Sequence, residues 1–312
     1  MSITQATRKA PPVRPGDRVF AGLSTGAGIL ILVILAGVGI FLTAKGIPGI
    51  LAKPDEVKSG QHFLPWVWPL VFGTLIAATI ALLIAVPVAI GVALFISHYA
   101  PRRLGQIFGY LIDLLAAVPS VVYGLWGIQF LAPHLVPFYA WLNKHLSFIP
   151  FFGEPSATGR TILTACIVLA VMILPIMTAI CREIFLQTPR LHEEAALALG
   201  ATKWEMARLA IFPYARSGIV SAAMLGLGRA LGETLAVAMV LSVTAGEVTA
   251  NLIGSSNPST IAANIALNFK ESTGLSVNAL IASGLVLFVI TFLVNFAARA
   301  VVERRSEFSG AN

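Results

Sequence analysis

The chain has 312 residues, of which 57% are hydrophobic and only 11% charged, and its mean hydropathy is +0.86. A soluble domain carries about a quarter charged residues, so this composition excludes an ordinary water-soluble fold and leaves lipid as the solvent for most of the surface. The formal net charge of +7 does not call for nucleic acid, because the basic residues cluster at the ends of apolar runs, the pattern of membrane topology.

The N-terminal tail, 1–20, carries Arg8, Lys9, Arg14 and Arg18. The apolar run that follows, 21–43, is longer than a signal-peptide core and is read as a retained first span; with its outer loop it makes a unit over 21–69. Five further runs follow at 70–97, 104–131, 159–181, 217–244 and 277–302, each long enough to cross a hydrocarbon layer of roughly 30 Å. They predict an all-α integral membrane protein of about six transmembrane helices, with a five-helix core over 70–302 and a tail over 303–312. Of the 21 Lys and Arg residues, Lys45, Lys53, Lys58, Lys144, Lys270 and Arg160 fall on one side, Arg229 falls inside a span, and the rest fall on the other side. That asymmetry puts both termini in the cytoplasm.

The outer segment 132–157 is rich in Pro, Phe, Tyr and Trp, and Leu135 to Leu146 reads as a helix lying in the interface or as an aromatic belt. The second outer segment, 245–276, is polar, with a turn cluster from Gly254 to Pro258. Cys166 and Cys181 share one apolar run; on one helix they are about 22 Å apart, beyond disulfide reach, and are read as small hydrophobes. There is no G-x-x-x-x-G-K-[ST], no HExxH and no nucleophile triad, so no catalytic residue, cofactor or metal is expected.

The loop 183–216 is patterned. Thr188 can cap a helix with Pro189 at its first position. Leu191, Ala195, Ala198 and Leu199 make an apolar stripe, and Gly200 supplies the left-handed conformation that ends helices. Thr202 and Glu205 form a capping box that opens a second helix, which Pro213 is expected to close. A helix, tight turn, helix unit of this kind is either a spacer or a docking knob.

Glu194-Ala195-Ala196, followed by Gly200 and Pro213, resembles the EAA motif of ABC importer permeases, with Ala210 and Phe212 where Ile and Leu are usual. Two further stretches, Ala117 to Gly127 and Gly226 to Thr234, resemble phosphate-transport permeases of the PstC type. The resemblance implies the type I ABC importer architecture in a bacterial plasma membrane. It implies that Glu194, Ala195, Ala196 and Gly200 couple to a separate PstB-type ATPase subunit, which hydrolyses ATP. It also implies a PstA-type second permease subunit, a PstS-type extracytoplasmic binding protein and inorganic phosphate as substrate. Sulfate, molybdate and tungstate permeases share the loop. An ion-coupled secondary transporter using Asp113 and Glu233, or a channel, is the alternative from a different class; the docking hairpin argues against both.

Asp113, Arg229 and Glu233 lie inside apolar runs, where charge is costly and marks a pathway or an internal pair. Arg229 and Glu233, four apart on one helix, are expected to share a face and pair. Counted along their helices, Asp113 and Arg229 differ in level by about 4–5 Å, so Asp113 is a second candidate partner. A guanidinium offers planar bidentate donors that suit an oxyanion. Arg229 is therefore the expected substrate contact, with Glu233 as its gate partner, a role the resemblance also implies. Pro87, Pro119 and Pro175 are expected to kink their spans, or, at Pro119-Ser120, to break the helix so that backbone N–H groups face the anion.

Overall fold

The computed structural model describes residues 15–244 and 248–306. Arg8, Lys9 and Arg14 of the basic tail, residues 245–247 of the second outer segment and the tail beyond 306 lie outside the described residues. Among the described residues the fold is helical throughout, with one isolated parallel bridge between Val243 and Asn257. Six helical stretches are long and apolar enough to cross a membrane: Gly16–Leu51, Phe63–Tyr99, Ser120–Leu146, Ile162–Leu186, Lys203–Gly232 and Leu275–Ala300.

In chain order the helices are α1 (Pro15–Leu51), α2 (Phe63–Leu94), α3 (Arg102–Ala116), α4 (Ser120–Trp126), α5 (Ala132–Leu146), α6 (Ile162–Leu186), α7 (Arg190–Ala198), α8 (Lys203–Met206), α9 (Phe212–Gly232), α10 (Leu235–Val240), α11 (Ile261–Asn268) and α12 (Leu275–Ser306). The helix α1 extends past the expected 21–43 at both ends, and α2 begins at Phe63 rather than 70. Wide, π-helical turns occupy Phe95–Tyr99, Gly127–Leu131 and Ala207–Ile211. Each ends two residues before a proline: Pro101, Pro133 and Pro213. Proline lacks an N–H, and its ring clashes with the carbonyl four residues back. In each case the preceding residue reaches one carbonyl further, Ala100 to Phe95, Ala132 to Gly127 and Phe212 to Ala207. The extra residue makes room for the ring and the helix carries on or ends cleanly.

This corrects three expectations. Pro213 does not close the second loop helix: α8, the wide turn and α9 form one rod, Lys203–Gly232. The segment 135–146 is not a separate interfacial helix: it continues the third span from α4 through Gly127–Leu131 into α5. Its Phe138 and Trp141 point outward, while Tyr139 is buried and bonds Thr164 at 2.7 Å. Finally, 104–131 is not one span. Pro119 disfavours helical geometry at Val118, α3 stops at Ala116, and α4 starts afresh at Ser120. Tyr123 Oη donates to the Leu115 carbonyl at 2.9 Å and ties the two pieces together.

The core is the pair α2 and α6, with α9 against α6. On α2, Ala77, Ala81, Ala85, Ala89 and Ala93 recur every fourth residue and none exceeds 2% exposure. They face Ala165, Cys166, Leu169, Ile173 and Met177 of α6. Lipid offers no hydrophobic drive between helices, so association rests on close backbone approach through small residues. The same device joins α1 to α12, where a Cβ at Gly49 would collide with the backbone of Asn278 and Ala279. Replacing Ala85 by Leu should therefore overpack the seam and cost about 1–3 kcal/mol. The thermal unfolding midpoint in detergent should fall, while Leu83→Ala, on the exposed face of α2, leaves it unchanged.

Candidate functional site

The fifth span is interrupted where the sequence places its charges. The helix α9 ends at Gly232, and Glu233 takes an extended conformation (φ −69°, ψ 128°) before α10 begins at Leu235. The buried Glu233 carboxylate accepts the Ala236 N–H at 3.1 Å, capping α10. The expected pairing of Arg229 with Glu233 across one helical turn is absent, because the helix stops before Glu233. Among the described residues no ion pair joins them. Arg229 is half-buried, thirteen residues beyond Arg216, or about 20 Å along the helix. It lines a cleft of about 810 Å³ between α9 and α12, with Ile176 of α6 at the back. On α9, Ser221, Leu225, Gly228 and Gly232 form an exposed stripe beside it. A Cβ at Gly228 or Gly232 would meet nothing, so these glycines pack no helix of this chain.

Asp113 is not among the residues that line this cleft. It lies on α3, whose Gly105 and Gly109 abut the Ile96 carbonyl and the Arg182 guanidinium. Both are at the basic end of the bundle, the end that carries Arg102, Arg103, Arg182 and Arg190. Asp113 is exposed one turn further on, and no ion pair links it to Arg229 among the described residues. The level estimated by counting residues fails because α3 is not the first half of a continuous span.

At the basic end, α7 and α8 form the hairpin. Thr188 makes no cap; its hydroxyl is buried without a hydrogen-bond partner, and α7 starts after Pro189. The turn itself is as expected. Gly200 has φ +87°, its N–H donates to the Leu197 carbonyl at 3.0 Å, and the Ala201 N–H donates to the Ala196 carbonyl at 3.2 Å. This is the paired closure of a Schellman motif. Thr202 and Glu205 complete the capping box, each accepting from the other's segment. Ala196 packs inward on the cluster of Phe185, Met206 and Ile211. Glu194 and Ala195 face solvent, and Leu191, Leu199 and Trp204 are 75%, 91% and 56% exposed.

Two contacts fasten this hairpin to the end of α2. His98 Nε2 lies 3.3 Å from Glu193 Oε1, and Lys203 Nζ sits 5.8 Å above the Tyr99 ring. Ser97 continues the chain inward: its Oγ is 2.7 Å from His98 Nδ1 and 2.8 Å from the Ala93 carbonyl, to which it donates. The contact with Glu193 needs a proton on Nε2. Sequence reasoning missed this link. Residues 95 positions apart give no local signal; only the placement of His98 at the basic end of a span hints at it.

The family described as "Binding-protein-dependent transport system inner membrane component" matches residues 85–307. The chain is 46% identical over 302 residues to "Phosphate transport system permease protein PstC 2" of Mycobacterium tuberculosis, covering 93% of each chain. It is 38% identical to "Phosphate transport system permease protein PstC" of Mesorhizobium japonicum, covering 95% of this chain and 92% of that one. A solved structure of the MetNI methionine ABC transporter in an inward facing conformation aligns with a TM-score of 0.47 at 17% identity, over 76% of this chain and 93% of that one.

The cap at Glu233 is open to a direct check. Glu233→Gln keeps an acceptor oxygen for the Ala236 N–H and should unfold at the parent temperature. Glu233→Leu removes it and should lose about 1 kcal/mol, read as a lower unfolding midpoint of the purified protein.

Proposed function

The chain belongs to the family of binding-protein-dependent transport system inner membrane components, and from that premise we propose that it is the membrane subunit through which an ATP-driven importer moves inorganic phosphate into the cell. The observation that carries the transport mechanism is the exposed hairpin α7–α8. Its apolar side chains Leu191 and Leu199 are left uncovered by the described residues, and Trp204, edge-on to Phe212, stays 56% exposed, at an end rich in positive charge. A soluble ATPase subunit of the PstB type is the partner that covers them. Phosphate as the substrate rests on the printed names of the relatives. A secondary transporter would need carboxylates converging on the pathway, and among the described residues no carboxylate lines the cleft.

The hairpin is built to move the pathway. Its second helix is one rod with α9, so a push on Gly200 and Trp204 travels along the axis to Arg229. Its first helix is held to the end of the second span by Glu193 and His98, so that span moves with it. The uncovered stripe Ser221, Leu225, Gly228 and Gly232 is where a PstA-type permease subunit packs, closing the pathway between two chains. Arg229 there presents a planar, permanently charged fork to the oxyanion. A PstS-type protein delivers phosphate at the opposite end. The basic end faces the cytoplasm of a bacterial plasma membrane, with both termini on that side. ATP is hydrolysed on the ATPase subunit, and this chain is not an enzyme.

Two measurements test this. A doubly altered Glu194→Lys, Gly200→Val protein should insert normally but retain about tenfold less ATPase on co-purification, since a β-branched residue at positive φ costs of order 1–3 kcal/mol. Wild-type ATPase recovery would defeat the docking reading. For the pathway, Arg229→Lys should cut phosphate uptake about tenfold or more at unchanged membrane abundance. Adding Glu233→Gln to Arg229→Gln should restore nothing. Near-normal radiolabelled uptake in either protein would assign Arg229 to structure.

A further inference from the structure

We propose that Arg299, together with Asn295, forms a second station for the transported oxyanion, between Arg229 and the basic end of the cleft. The proposal rests on the import reading above and adds a site to it. Ser221, Arg229, Asn295 and Arg299 are the polar lining of the 810 Å³ cleft, and no carboxylate lines it. Neither guanidinium has a hydrogen bond or an ion pair among the described residues. The carboxylate nearest Arg229 in sequence, Glu233, is tied to the Ala236 N–H. Two unpaired guanidiniums therefore share one largely apolar cleft, where field lines are focused and counter-charge is missing. The matching ligand is a small anion with several acceptor oxygens, which two guanidinium forks and an amide donor can grip in turn.

The placement gives the order. Arg229 lies well inside the bundle, three residues before α9 ends, whereas Arg299 lies near the C-terminal end of α12, seven residues before Ser306. Asn295 and Arg299, four apart, share a face of α12, and both reach the cleft. An anion leaving Arg229 towards the basic end meets them next. A lone guanidinium binds a dianion tightly enough to slow its release; a second one further along lowers that barrier by sharing the charge. The competing account is that Arg299 reaches lipid phosphate at the membrane surface, as basic residues at span ends do. Both partners are phosphoryl oxyanions, so the test has to separate them.

The experiment uses the whole reconstituted importer in liposomes, with its ATPase, second permease and binding protein. Arg299→Gln should lower the maximal phosphate import rate about tenfold, with half-saturation unchanged because the binding protein sets it. Arg299→Lys should fall between, and Asn295→Leu should lower the rate less. An unaltered rate in Arg299→Gln overturns the proposal. So does a defect that vanishes in liposomes of uncharged, phosphate-free glycolipid, which would make a lipid headgroup the partner. If Arg299→Gln fails to assemble, Asn295→Cys in the otherwise intact importer serves instead. An anionic methanethiosulfonate should modify it faster than a cationic one of equal size, and phosphate should slow the reaction. Equal rates for the two reagents overturn the proposal. Were the parent importer to move sulfate rather than phosphate, the phosphate reading would fail, and the Arg299 dependence would be read on sulfate.

Discussion

Lipid offers no water to a backbone N–H or carbonyl, so every polar group of a membrane-spanning backbone must find its partner inside the protein. This chain meets that demand with 18 prolines, each lacking the donor a helix needs. Where a wide turn absorbs the proline, as before Pro133 and Pro213, the helix passes through and stays one rod. At Pro119 the chain breaks, whereas Pro87 and Pro175 sit inside the continuous helices α2 and α6 with no wide turn before them. The second interruption, at Glu233, has no proline at all; there a side-chain carboxylate stands in for the missing backbone acceptor. The positions of the helices, and with them the position of every charge in the cleft, follow from how each of these backbone deficits is settled.

Continuity of the rod from Lys203 to Gly232 makes the loop and the pathway parts of one rigid body. A hairpin attached by flexible linkers could bind a partner without moving anything. Here the capping box at Thr202 starts a helix whose other end carries Arg229, and the bond between His98 and Glu193 anchors the hairpin's first helix to α2. The alanines of α2 seat it firmly on α6. Under the proposed reading, coupling would need no special relay of residues, because the hairpin and Arg229 lie on one continuous rod.

Much of this was legible in the sequence, for reasons that differ residue by residue. The number of spans follows from the lengths of the apolar runs, although the third is Ser120–Leu146 and not 104–131. The hairpin was readable because Gly200, Thr202 and Glu205 encode their structure within a few residues of chain. Thr188 shows the limit of such local grammar: the same residue type next to Pro189 makes no cap, because the helix begins one turn boundary later and buries the hydroxyl. The expected pairing of Arg229 with Glu233, and the level assigned to Asp113, rested on one assumption, that an apolar run is one straight helix. Pro119 gives the same signal whether it kinks or breaks. Nothing near Glu233 announces an interruption, since the break is stabilised by burial that only the tertiary structure supplies. His98 and Glu193, and likewise Arg229 and Arg299, meet through packing of distant segments, which no periodicity records.

An importer lives in a membrane that the cell keeps charged, and a stray proton crossing 100 mV dissipates about 2.3 kcal/mol. The seam of alanines between α2 and α6 bears on this. Helices packed through methyl groups lie at the close end of interhelical spacing, leaving no gap that a file of water could fill, and the facing residues are Ala, Leu, Ile, Met and Cys. Among the described residues, the buried hydroxyls on α6 are those of Thr164 and Thr178, about 21 Å apart along the helix and so too far apart to pass a proton between them. The contact that makes the core rigid is thus also electrical insulation, so the protein can sit in an energised bilayer between turnovers without short-circuiting it.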